Sequence, residues 1–295
     1  MGIAACSICP RRCGVPRGEG FCGMPPEPVV ASVCLHRGEE PPLNPIVNIF
    51  FSGCNLQCVY CQNWQISGRS SAVGSPMGVD DIADRVCRLA TSGAPLLGFV
   101  TAAHYIQYVR PVVEALHRRG VEPVVVYNSG GYESAEALRS LEGVVDIYLP
   151  DLKYMDPELA DAYSHASDYP EVAAAAIGEM VRQVGRGFKV DDDGVAYRGI
   201  LVRHLVLPGA LENTRRCLDW LADECGIRSL SLMAQYFPPR PGLAPPLDRT
   251  VTAAEYSEAL DHASRAGFAD IYTQELSSQT NYRPDFTHGQ NPFEQ

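Results

Sequence analysis

Three cysteines fall within eight positions in "FSGCNLQCVYCQN": Cys54, Cys58 and Cys61, separated by three and then two residues. Such thiols can be small core residues, disulfide partners, zinc ligands, or three corners of an iron–sulfur cluster whose fourth corner stays open. The chain has 11 cysteines, an odd number, and seven of them crowd into two short groups, Cys6 to Cys22 and Cys54 to Cys61. In a reducing compartment, clustering of this kind points to metal or redox chemistry rather than a disulfide scaffold. A structural zinc site wants a fourth Cys or His nearby, and the adjacent Gln62, Asn63 and Trp64 supply none. Three thiolates can instead hold three irons of a [4Fe–4S] cluster and leave the fourth free to bind a substrate or cofactor.

The N-terminal group, in "CSICPRRCGVPRGEGFCG", places Cys6, Cys9, Cys13 and Cys22 at spacings of two, three and eight residues. Four thiolates suit a closed metal site, and both zinc and a second [4Fe–4S] cluster accept them. The spacings do not separate the two. Cys34 and His36 are candidates for spare ligands, while Cys87, Cys217 and Cys225 lie in helical patterns and read as small core residues.

The elements that must position these groups show a regular rhythm from residue 45 onward. Apolar runs predict strands at 46–51, 96–100, 123–128, 144–150, 200–208, 229–237 and 270–275. Amphipathic patterns predict helices such as 80–93, 171–185 and 252–267, each closed by Gly. Apolar strands alternating with helices imply a parallel sheet buried on both faces. The α/β class follows, as a partial or complete (β/α) barrel, with an open doubly wound sheet as the alternative. A hairpin is expected at 188–199 around Asp193-Gly194, and a Pro-rich loop at 238–249. The organisation predicted is an irregular Cys-rich N-terminal appendage over 1–44, a barrel over 45–275 and a polar tail over 276–295. In a barrel, the triplet after the first strand lies on a loop at the C-terminal mouth, where active sites of this architecture sit.

The formal net charge of −11 argues against a general nucleic-acid binder. No run approaches the roughly 18 apolar residues of a membrane span. The start, "MGIAACS", lacks the regions of a signal peptide, and Cys6 stands where myristoylation wants Ser or Thr. A cytoplasmic protein without nucleic-acid or membrane partners is expected.

"CNLQCVYC" resembles the cysteine motif of the radical S-adenosylmethionine (radical SAM) superfamily, including the aromatic residue before the last Cys. "FFSGCNLQCVYCQNWQIS", "YNSGGYES", "VDIYLPDLKYMDPELA" and "LVRHLVLPG" are similar to the pyruvate formate-lyase activating-enzyme-like (PflX-type) iron–sulfur proteins, and the likeness covers nearly the whole chain. The resemblance implies a [4Fe–4S] cluster on Cys54, Cys58 and Cys61 and S-adenosylmethionine (SAM) as cofactor. Reductive cleavage of SAM would then yield a radical that takes hydrogen from a substrate. It also implies an electron donor such as flavodoxin or ferredoxin, and a glycyl-radical enzyme as one substrate. Modification of a small molecule or peptide, or a noncatalytic iron–sulfur or zinc scaffold, are the alternatives.

The same resemblance places cofactor contacts after successive strands. Thr101 stands where related proteins carry a Gly-Gly-Glu-like segment, which this chain lacks. Asn128, Ser129 and Gly130 match the turn beside the SAM ribose. Asp151 and Lys153, two apart and so facing one way on an extended chain, match a SAM-positioning pair, and Arg203 matches the family's arginine. His204, on the opposite face from Arg203, is expected to bond a neighbouring helix. His104 reads either as a mouth residue or as part of a helix's first turn. Gln235 and Tyr236 are substrate-pocket candidates, with a core role as the simpler account of the tyrosine.

Overall fold

A computed structural model describes residues 5–69, 73–90, 95–280, 283–287 and 291–293. The strands are β1 (Val29–His36), β2 (Ile46–Phe51), β3 (Ser75–Pro76), β4 (Leu96–Val100), β5 (Val124–Ser129), β6 (Ile147–Pro150), β7 (Phe188–Val190), β8 (Ala196–Ile200), β9 (Val202–Leu205), β10 (Ser229–Met233) and β11 (Asp270–Thr273). The helices are α1 (Trp64–Ser67), α2 (Val79–Ala90), α3 (Val109–Arg118), α4 (Ala135–Arg139), α5 (Pro157–Ser164), α6 (Tyr169–Val184), α7 (Leu211–Asp219) and α8 (Ala253–Ala266). Local signals set several ends. A capping box joins Thr252 to Glu255 at the start of α8, and Gly267, in the left-handed region, stops it. Residues 91–93 of the helix predicted over 80–93 lie outside the described residues. No described helix is long and apolar enough to cross a membrane.

Strands β2, β4, β5 and β6 pair in parallel and in chain order. The next strand is broken at Leu201 into β8 and β9 but keeps one register against β6: Ile147 opposes Gly199, Tyr148 opposes Ile200 and Asp151 opposes Arg203. Strand β9 then pairs with β10, and β10 with β11, again in parallel. An order that never reverses has no switch point, so the doubly wound alternative does not apply and the sheet curls as a partial barrel. The predicted hairpin is β7–β8. The Asp191 carboxylate accepts from the Asp193 and Val195 amides in its turn, where Gly194 takes φ +80°.

Residues 1–44 are less irregular than the sequence suggests. "VVASVCLH" forms β1, which pairs antiparallel with β2 along its length and extends the same sheet. Residues 5–28, ahead of β1, contain neither helix nor strand. The C-terminal tail also contributes packing: Phe286 and Phe293 sit against Phe50, with ring centroids 5.3 and 5.8 Å away.

Period-two alternation sorts each strand's side chains. Ile46, Leu96, Val126, Ile147, Leu149 and Leu201 meet in one apolar cluster that floors the barrel. The same parity one or two steps further along carries Asn128, Asp151, Arg203, Ser231 and Gln274 toward the C-terminal mouth. The opposite parity, including Ile49, Phe99, Tyr127 and Val202, joins the larger core with α2, α3 and α6. Each fully buried aliphatic side chain of this kind contributes roughly 1.5–3 kcal/mol. Inside, Gly98 is required by packing, because a Cβ there would lie 1.9 Å from Asn48 Oδ1.

Candidate functional site

Two chambers open at the carboxyl ends of the parallel strands and share Gln62, Asn63, Asn128, Arg203 and Gln235. The smaller, about 210 Å³, is lined by Cys54, Cys58 and Cys61 together with Thr101, Gly130, Asp151 and Lys153. The larger, about 420 Å³, continues toward His36, Glu39, Glu40, Tyr272 and Gln274.

The cysteine loop leaves β2 through Gly53, at φ +79°, where a Cβ would lie 2.2 Å from Met24 Cγ. Burial pushes the Cys54 thiol up to about 11, with the neighbouring Cys58 adding to the effect. Burial likewise raises Cys58 and Cys61. Thiolates therefore form here only when something cationic offsets their charge, as a bound metal does. Donors already point at the sulfurs: the Leu56 amide reaches Cys54 Sγ at 3.3 Å and the Ser164 hydroxyl reaches Cys58 Sγ at 2.9 Å. Ser164 is itself bonded to Tyr154, whose hydroxyl donates to Tyr60 at 2.6 Å. Sequence reasoning missed this chain of hydroxyls, whose members lie as far apart as residues 60 and 164.

Among the described residues, no three His, Cys, Asp or Glu side chains stand close enough to hold a single metal ion. Three thiols on one chamber match three ligands of a four-iron cluster whose fourth corner stays open.

In the same chamber, the Lys153 ammonium donates to Asp151. Burial alone would push Lys153 down, but Asp151, Cys58 and Cys61 together outweigh it and keep the ammonium charged. The pair is thus neither exposed nor free; it presents fixed positive charge beside the cysteines. Gly130 gives close access, since a Cβ would approach Leu56 Cδ1 to 3.2 Å. Gly131, at φ +80°, is required by the turn, where a Cβ would fall 2.3 Å from the Asp151 carbonyl oxygen. Thr101 adopts φ +54°, a strained conformation for a β-branched residue, directly at the chamber wall.

Several sequence candidates are placed elsewhere. Ser129 turns to the outer face, where its hydroxyl donates to Glu133 at 2.8 Å and accepts from the Gly131 amide. Arg203 lines both chambers, but its guanidinium is bound by Glu39 and Glu40. Burial opposes ionisation of Glu39, yet Arg203 and His36 hold its carboxyl below the usual range. This ion triad has no local signature, because its carboxylates lie in the β1–β2 connection, far in the chain from Arg203. His204 is bonded as expected on the outer face, to the Leu152 carbonyl at 2.7 Å and Thr214 of α7 at 3.0 Å. His104 is buried behind the mouth, its Nε2 on the Ser52 carbonyl at 2.8 Å. Gln235 lines both chambers, whereas Tyr236 is core and donates to the Leu247 carbonyl.

No protein-family model matches the chain. It is 28% identical over 276 residues to the uncharacterized protein MJ0674 of Methanocaldococcus jannaschii, covering 90% of this chain and 76% of that one. Among solved structures it is similar to Streptococcus suis SuiB bound to S-adenosylmethionine, with a TM-score of 0.50 and 10% identity. That match covers 76% of this chain and 48% of SuiB, so the chain spans about half of SuiB's length. A domain of pyruvate-formate lyase-activating enzyme from Bacteroides vulgatus matches over 58% of this chain and 92% of its own, with a TM-score of 0.41 and 11% identity. The architecture shared with SuiB is an α/β partial barrel.

Proposed function

We propose that the protein is a radical SAM enzyme. One observation carries the reading: Cys54, Cys58 and Cys61 line one chamber at the barrel mouth together with Lys153, Asp151 and Thr101. The three cysteines would hold a [4Fe–4S] cluster, and Lys153 would receive the SAM carboxylate. When bound, these groups supply one-electron cleavage of SAM and a carbon radical able to abstract hydrogen. The chain's own contribution is placement. Lys153 fixes positive charge, Asn128 and Gly130 let the nucleoside approach the backbone, and Met233 and Leu205 exclude water from one wall.

The adjoining chamber is the natural substrate space. Its polar lining of carboxylates and side-chain amides accommodates a small polar molecule or an extended peptide segment, including the glycine loop of a glycyl-radical enzyme. A low-potential donor of the flavodoxin or ferredoxin class would supply the electron. Anaerobically reconstituted protein, given SAM and dithionite, is expected to form 5′-deoxyadenosine and methionine. A Cys54/Cys58/Cys61→Ala variant is expected to form neither. Equal product from both proteins, or none from an iron-replete wild type, would overturn the reading and leave a noncatalytic scaffold.

A further inference from the structure

We propose that Cys6, Cys9, Cys13 and Cys22 hold a second [4Fe–4S] cluster, seated between the N-terminal segment and the back of the loop that carries Cys54. All four thiols line one small cavity, together with Arg17 and His104. Four thiols on one cavity make a complete ligand set for a closed metal centre.

A backbone amide also points at one of the sulfurs: the Phe21 amide donates to Cys13 Sγ at 3.3 Å. Amide donors around thiolates are how proteins hold and tune iron–sulfur clusters. Two further nitrogens lack a partner. His104 is 1% exposed, and its Nδ1 makes no hydrogen bond within the protein; the Arg17 Nε is likewise buried and unpaired. An Arg17 N–H and its positive charge match a cluster that four thiolates leave anionic.

The segment's own stability points the same way. Residues 5–28 contain no helix or strand. Ordering a backbone costs about 1–2 kcal/mol per residue, and few buried apolar side chains here offset that cost. The segment is instead tied down by Arg11, which donates to the Asn55 carbonyl at 2.7 Å and the Ser164 carbonyl at 3.1 Å. Gln57 adds a bond from its side chain to the Phe21 carbonyl at 2.8 Å. A metal centre inside the cavity would complete the fold of the segment, as metals do in small domains. The site does not depend on the radical SAM reading, although its contacts with Asn55 and Gln57 brace the cysteine loop of that reading.

The test is iron, acid-labile sulfide and zinc content after anaerobic reconstitution, with Mössbauer spectra, for three full-length proteins. Wild type is expected to carry twice the iron and sulfide of either the Cys54/Cys58/Cys61→Ala or the Cys6/Cys9/Cys13/Cys22→Ser variant. The first variant is expected to retain a [4Fe–4S] spectrum that SAM does not perturb. Because four substitutions at once can unfold the segment, Cys13→Ser alone is the second probe. It is expected to alter one of two cluster signals in the electron paramagnetic resonance of the reduced protein. Stoichiometric zinc in the triple variant, or a wild type with the iron of one cluster, would overturn the proposal. Two clusters without SAM cleavage would leave it standing and remove only the enzymatic reading.

Discussion

Lys153 concentrates the chemistry of the mouth. Its partly buried ammonium is paired with Asp151 and close to all three cysteines, so it cannot be replaced by a neutral side chain without a local charge change. A charge-assisted contact to the SAM carboxylate contributes about 1.5–3 kcal/mol, or about ten- to hundredfold in affinity. Lys153→Met is therefore expected to weaken SAM binding by that factor while iron content stays unchanged, read by anaerobic titration at matched iron. Affinity equal to wild type would leave the lysine as a structural partner of Asp151 alone. The sequence revealed the Asp151–Lys153 pair because a two-residue spacing on a strand fixes a common face. The same parity rule places Asn128 at the mouth and sends Ser129 outward to Glu133. Hydrogen bonds such as Ser164 to Cys58, by contrast, join residues far apart in the chain and have no local signature.

At the scale of elements, β9 shows how one strand serves two faces. Arg203 looks into the barrel, and its neighbour His204 bridges β6 to α7 through the Leu152 carbonyl and Thr214. The carbonyl requires a proton on Nδ1, and in the neutral ring Nε2 then accepts from the threonine hydroxyl. Burial pushes its pKa from the ordinary 6.5 down to about 4. In the unfolded chain the ring takes up a proton below pH 6.5, whereas the folded state resists until about pH 4. Stability from this group is thus complete above pH 6.5 and is lost as pH falls through that window, on the order of 3 kcal/mol in all. His204→Gln keeps a donor and an acceptor without a titrating ring. It is expected to flatten the pH dependence of urea-unfolding free energy between pH 6.5 and 4, relative to wild type. An unchanged slope would assign the acid sensitivity to other buried groups, with His104, lowered likewise to about 4, the first to examine. The strand was legible from "ILVRHLVLP", but its break at Leu201 depends on pairing with both β6 and β10.

For the whole molecule, the N-terminal 44 residues are two different things. Residues 5–28 form an irregular segment that docks behind the cysteine loop, whereas β1 is a full strand of the sheet. "VVASVCLH" was hard to read as a strand because it follows a Pro- and Gly-rich stretch and has buried residues on both faces. Its connection to β2 also supplies Glu39 and Glu40, which hold Arg203 across the barrel. Two truncations separate these roles. Removal of residues 1–26 takes away the Cys quartet and leaves β1, so the barrel is expected to remain soluble and monodisperse, with a lowered melting temperature. Removal of residues 1–44 bares one edge of β2, an invitation to intermolecular pairing. It also strands a buried Arg203 without either carboxylate, and breaking such a pair costs about 3–5 kcal/mol. Against the roughly 5–15 kcal/mol that stabilises a typical protein, that loss together with the missing strand is expected to give insoluble or unfolded material. Size-exclusion chromatography and thermal melts of the two truncations make the comparison. A folded, monomeric protein beginning at residue 45 would show that the barrel closes without β1 and that the ion triad is dispensable.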